Sequence, residues 1–340
     1  MAQWQKTQIQ RDNGMIADAQ APVIISASRS TDIPAFYADW FFHRLKVGYS
    51  AWTNPFNGVK SFVSYEKCRF IVFWSKNPKP LLEHLDELKG RNIGCYIQYT
   101  LNDYENEGLE KGVRPLNERI DTFKRLVDQL GKGRVIWRFD PLILTDQISI
   151  DDLMGKVENI GDQLQGYTEK LVFSYADIAL YKKVKANLKN SHINYQEWTG
   201  LQMEEFARRL SELNQKWNYQ LATCGEKIDI APYGIQHNRC IDDDLMIRFA
   251  HHDKALMDFL GVEIADGDLF NPKPTIIKHR DNRDKGQRQF CGCIMSKDIG
   301  EYNTCPHLCE YCYANASKEK AIENYRKHEM NPKGETITGY

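Results

Sequence analysis

The sequence has no uninterrupted apolar run approaching the roughly 18–20 residues of a membrane span, so membrane insertion is not expected. It has no excess of either charge: 45 Lys and Arg stand against 46 Asp and Glu, a net charge of -1. That balance argues against a whole-chain electrostatic footprint for nucleic acid, and ranks nucleic acid last among partners. Only a local basic groove would change that ranking. The opening residues, MAQWQKTQIQRDNG, hold no apolar core segment, so no secretory signal is read and a cytoplasmic location is expected. Internal repeats and low-complexity tracts are lacking too. No glycine-rich fingerprint follows the first apolar run, which counts against a doubly wound dinucleotide-binding sheet.

What the chain does have is cysteine, nine in 340 residues, unevenly placed. Cys68 and Cys95 stand beside or inside predicted strands and read as small buried apolar residues. The other seven follow residue 223: Cys224, Cys240, Cys291, Cys293, Cys305, Cys309 and Cys312. An odd count without a secretory signal argues against a disulfide framework. Metal is then the first explanation for the late cluster.

Short β-branched and aromatic runs alternate with helical patterns. Strands are predicted at Val23–Ser28, Tyr49–Thr53, Phe70–Trp74, Cys95–Leu101, Val135–Phe139, Leu171–Ser174 and Tyr219–Thr223. Helices are predicted at Ala35–Leu45, Pro80–Lys89, Leu116–Leu130, Ile150–Leu164, Ile178–Leu188, Gly200–Trp217, Asp243–Phe259 and Ala314–Lys327. Strands buried on both faces and separated by helices imply a parallel sheet. The expected class is α/β, a (β/α) barrel, complete or partial, over residues 1–260. Residues 261–340 are expected to form a linker and a cysteine-rich, cluster-binding segment packed on that barrel. Within this linker, the charge run 279–285 reads as a solvated loop.

In (β/α) barrels the site is built where the strands end. Here those ends carry Arg29, Asp32, Lys76, Asn77, Gln98, Arg138, Asp140 and Glu226. Arg138 and Asp140 share one side of their strand, where an apolar interior offers few other partners. Three basic and two acidic groups, Arg29, Lys76 and Arg138 with Asp32 and Asp140, form the candidate catalytic set. They suit a small polar, anionic or nucleotide-like substrate.

The last three cysteines, Cys305, Cys309 and Cys312, are spaced C-x3-C-x2-C. Three thiolates in one short loop can grip three irons of a cubane and leave the fourth open. With Tyr311 before the last cysteine and Tyr313-Ala314 after it, the stretch resembles the radical S-adenosylmethionine (SAM) enzymes. The resemblance implies a 4Fe–4S cluster on those three cysteines, with SAM chelating the open iron. It also implies a small-molecule substrate and a reductant such as flavodoxin or ferredoxin. In those enzymes the motif follows the first barrel strand. Here it lies near the C-terminus, so a circularly permuted arrangement is expected. The runs Ser28–Tyr37, Phe73–Pro78, Val135–Pro141 and Cys291–Ala314 together resemble a bacterial family of unknown function with a C-terminal cysteine cluster. That resemblance spans about residues 22–315.

Cys224, Cys240, Cys291 and Cys293 could complete an all-cysteine second site, for a second 4Fe–4S cluster or for zinc. Cys224-Gly225-Glu226 partly matches the Gly-Gly-Glu turn with which radical SAM enzymes hold the SAM amino group. Glu226 is therefore a candidate SAM contact, and Asn77 and Gln98 at the strand ends are further candidate cofactor-binding residues. His307 is a candidate hydrogen-bond donor to a cluster sulfur.

Overall fold

The structure is a computed structural model that describes residues 4–54, 57–265 and 275–339. Its centre is a sheet of eight strands: β1 Ile24–Ala27, β2 Phe70–Ser75, β3 Gly94–Thr100, β4 Val135–Leu142, β5 Lys170–Tyr175, β6 Gln220–Thr223, β7 Gln236–His237 and β8 Lys297–Asp298. Every neighbouring pair is parallel. Across the sheet β1 to β7 follow chain order, and β8 joins outside β1. A doubly wound sheet reverses direction midway, and this one does not. The fold is thus α/β on a large parallel sheet. Among the described residues no ladder joins β7 to β8, so the sheet is open.

Alternation along each strand makes two faces. Ile71, Phe73, Ile97, Trp137, Phe173 and Leu221 pack on one face, in the core that also holds Phe123, Leu126, Val157 and Phe206 of the flanking helices. Ile24, Phe70, Val72, Tyr96, Ile136 and Val172 point the other way, into a second core. Helices Asp243–Ala250 and Lys254–Leu260 cover that inner face with Met246, Ile247, Leu256 and Leu260. Each such side chain contributes about 1.5–3 kcal/mol by leaving water. Toward the C-terminal ends of the strands the inner face turns polar, and the site begins there.

Several elements differ from the sequence reading. Tyr49–Thr53 is a strand, but it lies outside the parallel sheet. It pairs antiparallel with Lys60–Ser64 in a separate four-stranded sheet completed by the hairpin Lys6–Gln10 and Ile16–Gln20. Its aromatic composition fits either sheet, and only its hairpin partner decides. The helix expected over 35–45 is two, Ile33–Phe36 and Ala38–Val47, broken at Tyr37. The helix expected over 243–259 breaks at His251-His252-Asp253. There Asp253 caps the second piece by accepting from Leu256 N at 3.0 Å. The last helix runs Lys318–Met330, set by the Ser317 cap.

The expected 261–340 unit is not simply packed on the sheet, because β8 is one of the sheet's strands. Within the expected linker, Thr275–Lys278 pairs antiparallel with Val262–Ala265, and residues 266–274 lie outside the described residues. The charge run is partly tied down. Asn282 donates to Leu260 O at 2.7 Å and Arg283 to Cys291 O at 3.0 Å. No described helix is long and apolar enough to cross a membrane.

Candidate functional site

The inner-face positions at the strand ends are Ser26, Trp74, Gln98, Arg138, Asp140 and Ser174. Arg138 is buried, and its guanidinium is divided among three partners. It donates to Gln98 Oε1 and to Cys240 Sγ, each at 3.1 Å, and pairs with Asp140. Asp140 also accepts from Ser174 Oγ. The guanidiniums of Arg29 and Arg138 both lie over the Trp74 ring, 5.5 and 5.4 Å from its centroid. Such contacts contribute about 0.5–2 kcal/mol each. Burial pulls Arg138 down, but Cys240 and Asp140 overcome this and hold it well above its ordinary value.

Around this pair of guanidiniums the chain assembles four thiols from three segments. Cys224 follows β6, Cys240 follows β7, and Cys291 and Cys293 precede β8. Cys224 Sγ and Cys240 Sγ are 3.4 Å apart. Cys240 Sγ also accepts from Asn238 Nδ2 at 3.1 Å, and Cys293 Sγ from Ile241 N at 3.4 Å. The Cys240 thiol is held well below its ordinary range, by its hydrogen bonds with Cys224 and Cys293 and then by the charges of Arg138 and Arg29.

The loop carrying Cys305, Cys309 and Cys312 begins soon after β8. Leu308 adopts φ 53°, a left-handed turn rare for a branched residue, between the first two thiols. Burial raises all three thiols, and Cys312 adds to the rise of Cys305 and of Cys309. The backbone N–H groups of His307 and Asp32 favour the Cys305 thiolate, and those of Asn315 and Ala314 favour that of Cys312. Asn315 Oδ1 is buried without a partner beside this loop, as Asn238 Oδ1 is beside Cys240. Thiols grouped in this way, with N–H donors aimed at sulfur, fit the donor set an iron–sulfur cluster requires.

Neighbouring elements lock the loop in place. Tyr311 OH, Lys76 Nζ and Asn102 Nδ2 all meet Glu110, Lys76 at 2.7 Å and Asn102 at 3.2 Å. Glu110 is 5% exposed. Burial would raise its carboxyl, but Lys76 and Arg119 reverse that and hold it low. Asp32 spends both oxygens here. Oδ1 caps a helix through Ala35 N at 3.0 Å, and Oδ2 faces Lys76 N and His307 Nε2, each at 2.7 Å. Gly112 N donates to His307 O at 2.9 Å, and a Cβ on Gly112 would lie 2.5 Å from Pro306 O.

The strand-end residues thus divide between two places. Arg29, Gln98, Arg138 and Asp140 gather at the four-thiol set, whereas Asp32 and Lys76 brace the loop. Gln98 uses both ends of its amide, the second on Cys240 O at 2.9 Å. Asn77 takes Ser75 Oγ on its backbone N–H at 2.9 Å. Glu226 accepts from Tyr175 N at 3.0 Å, and burial pushes its carboxyl up to about 7. The His307 ring does not face sulfur, because its nitrogens meet Asp32 Oδ2 and Gly112 O, the latter at 3.2 Å. Cys68 and Cys95 are core residues, pushed up by burial to about 12 and about 11.

Sequence reasoning missed Glu110 and Asn238, which sit in aperiodic loops. It also missed the role of Trp74, whose alternation with Val72 was the available signal. Arg29 stands between the two thiol groups. Its N–H donates to Asp298 Oδ2 at 2.8 Å, and its carbonyl accepts from Tyr313 OH at 2.5 Å. Asp298 also accepts from Ser26, Ser28 and Gly300 N, and so ties β8 to the end of β1.

Residues 24–314 match the model of a family described as a domain of unknown function, DUF1848, and the chain belongs to that family. No curated protein and no solved structure matches it.

Proposed function

We propose that this DUF1848 protein is an iron–sulfur enzyme of the radical SAM kind. Its sheet is read as an open (β/α) barrel, and Cys305, Cys309 and Cys312 as ligands of a 4Fe–4S cluster. The observation that carries the reading is the place of the loop. Counted across the sheet, β8 precedes β1, so the C-x3-C-x2-C loop leaves an edge strand that comes first in space although it comes last in the chain. That is the arrangement a permuted radical SAM barrel requires. When bound, such a cluster supplies one electron to SAM, which yields methionine and a 5′-deoxyadenosyl radical.

The chain's own groups then position and enclose. Glu110 holds Lys76, Asn102 and Tyr311 and so fixes the loop over the strand ends. Asp32 anchors it from the β1 side. Arg29, half-buried over Trp74, offers positive charge to a small polar or anionic substrate, while Arg138 is committed to Gln98, Cys240 and Asp140. Tyr181 and Tyr313, with ring centroids 6.1 Å apart, and Lys183 over Tyr302 form the rim. A cytoplasmic location and a flavodoxin- or ferredoxin-type reductant belong to the same reading.

The test is anaerobic reconstitution with iron and sulfide, then reduction in the presence of SAM. Formation of 5′-deoxyadenosine is expected, with its loss in Cys309→Ala. A verified reduced cluster that yields none refutes the reading.

A further inference from the structure

We infer that Cys224, Cys240, Cys291 and Cys293 hold a second 4Fe–4S cluster, ligated entirely by the protein and placed on the inner face of the strand ends. The inference stands on the four-thiol set alone and does not need SAM cleavage to be correct.

Charge is the first argument. Arg138 donates to Cys240 Sγ, and the Arg29 guanidinium faces Cys293, Cys240 and Cys291 together with Asp298. Four thiolates on an oxidised cubane core carry a net charge of about -2, and two guanidiniums beside them stabilise that charge.

Spacing is the second. A tetrahedral zinc at about 2.3 Å from each sulfur needs every pair of sulfurs about 3.8 Å apart. Cys224 and Cys240, 3.4 Å apart, are closer than either centre requires and part on loading, but among the described residues no three thiol sulfurs lie within 4.8 Å of one another, a spread too wide for the zinc tetrahedron. A cubane gives each thiolate its own iron and spreads the four more widely.

The surroundings are the third. Cys240, Cys291 and Cys293 belong to the inner core with Val72, Ile241 and Ile294, so the set is dry. Its sulfurs accept N–H bonds from Arg138, Asn238 and Ile241, which stabilise the electron-rich state. With four protein ligands this centre has no open iron. Its chemistry is the gain and release of one electron, beside the centre that would bind SAM.

The test uses the full chain purified without oxygen. About eight iron and eight sulfide per chain are expected, without zinc. The variant Cys305→Ala/Cys309→Ala/Cys312→Ala should keep about four iron and show a cluster EPR signal after dithionite. The variant Cys240→Ala/Cys293→Ala should lose this signal and keep the iron of the loop. One zinc per chain that departs with Cys240 and Cys293, or a Cys224–Cys240 disulfide without metal, overturns the inference. Should the triple variant fail to fold, Cys240→Ala/Cys293→Ala decides: loss of about four iron relative to the unmodified chain supports the inference, and no loss of iron refutes it. If the triple variant keeps all the iron of the unmodified chain, the loop reading of the Proposed function fails while this one survives.

Discussion

The two thiol groups of this molecule are built in opposite ways. Cys305, Cys309 and Cys312 lie in one loop, and local turns and backbone N–H groups set their geometry. Cys224, Cys240, Cys291 and Cys293 come from three segments, and the sheet must form before they meet. The first group is braced by carboxylates, Asp32 and Glu110, from outside. The second is faced by guanidiniums, Arg29 and Arg138, from within. The difference teaches that a ligand set can be local in sequence or local only in space, and that each kind depends on different parts of the fold.

Glu110→Ala tests the first kind hardest. It leaves Lys76 buried without its partner, and breaking such a pair costs about 3–5 kcal/mol. Denaturation should show that loss, and iron should leave the loop before it leaves the four-thiol set. Equal loss from both groups would break the comparison. Arg138→Gln tests the second kind. It removes a charged donor to Cys240 Sγ, with an expected cost of about 1–3 kcal/mol. Redox titration should find the potential of the four-thiol centre lowered and that of the loop centre unmoved. Shifts of similar size in both would show that the two environments are not separate.

The smallest effect concerns Glu301, which precedes the loop. Burial pushes its carboxyl up to about 7 from 4.5, so the folded state keeps a proton that the unfolded chain loses first. Its contribution is therefore fully present below about pH 4.5 and is lost as pH rises toward about 7. Glu301→Gln should flatten the pH dependence of stability in that window by about 1–3 kcal/mol. Denaturation curves that stay parallel to wild type from pH 4.5 to 7.5 would remove Glu301 from the account.

How much of this was legible in the sequence follows the same division. The spacing of Cys305, Cys309 and Cys312 could be read directly, because eight residues contain all three. The strands β1 to β6 were legible from their apolar runs, and the shared face of Arg138 and Asp140 from their alternation. The four other late cysteines could be counted, but their meeting depends on β6, β7 and β8 lying where they do, and the two-residue strands β7 and β8 leave no periodic mark. Glu110 escaped because nothing in the loop after β3 repeats. Tyr49–Thr53 was read as a strand but assigned to the wrong sheet, since composition does not name a partner. The same limit hid the polar hairpin Lys6–Gln20, whose pattern resembles a surface tail.

The pairing of β8 with β1 has a consequence for synthesis. Asp298 meets Ser26 across 272 positions of chain. A ribosome adding about 5–20 residues per second needs roughly 14–54 s to cover that interval. Throughout it the outer edge of β1 has no neighbour, and the donor set before β8 and the loop after it do not yet exist. An unpaired edge in a nascent chain is a point of self-association. The strand that brings the cysteines into place is also the one that ends this exposure, so cluster insertion and protection of the growing chain fall at the same late moment.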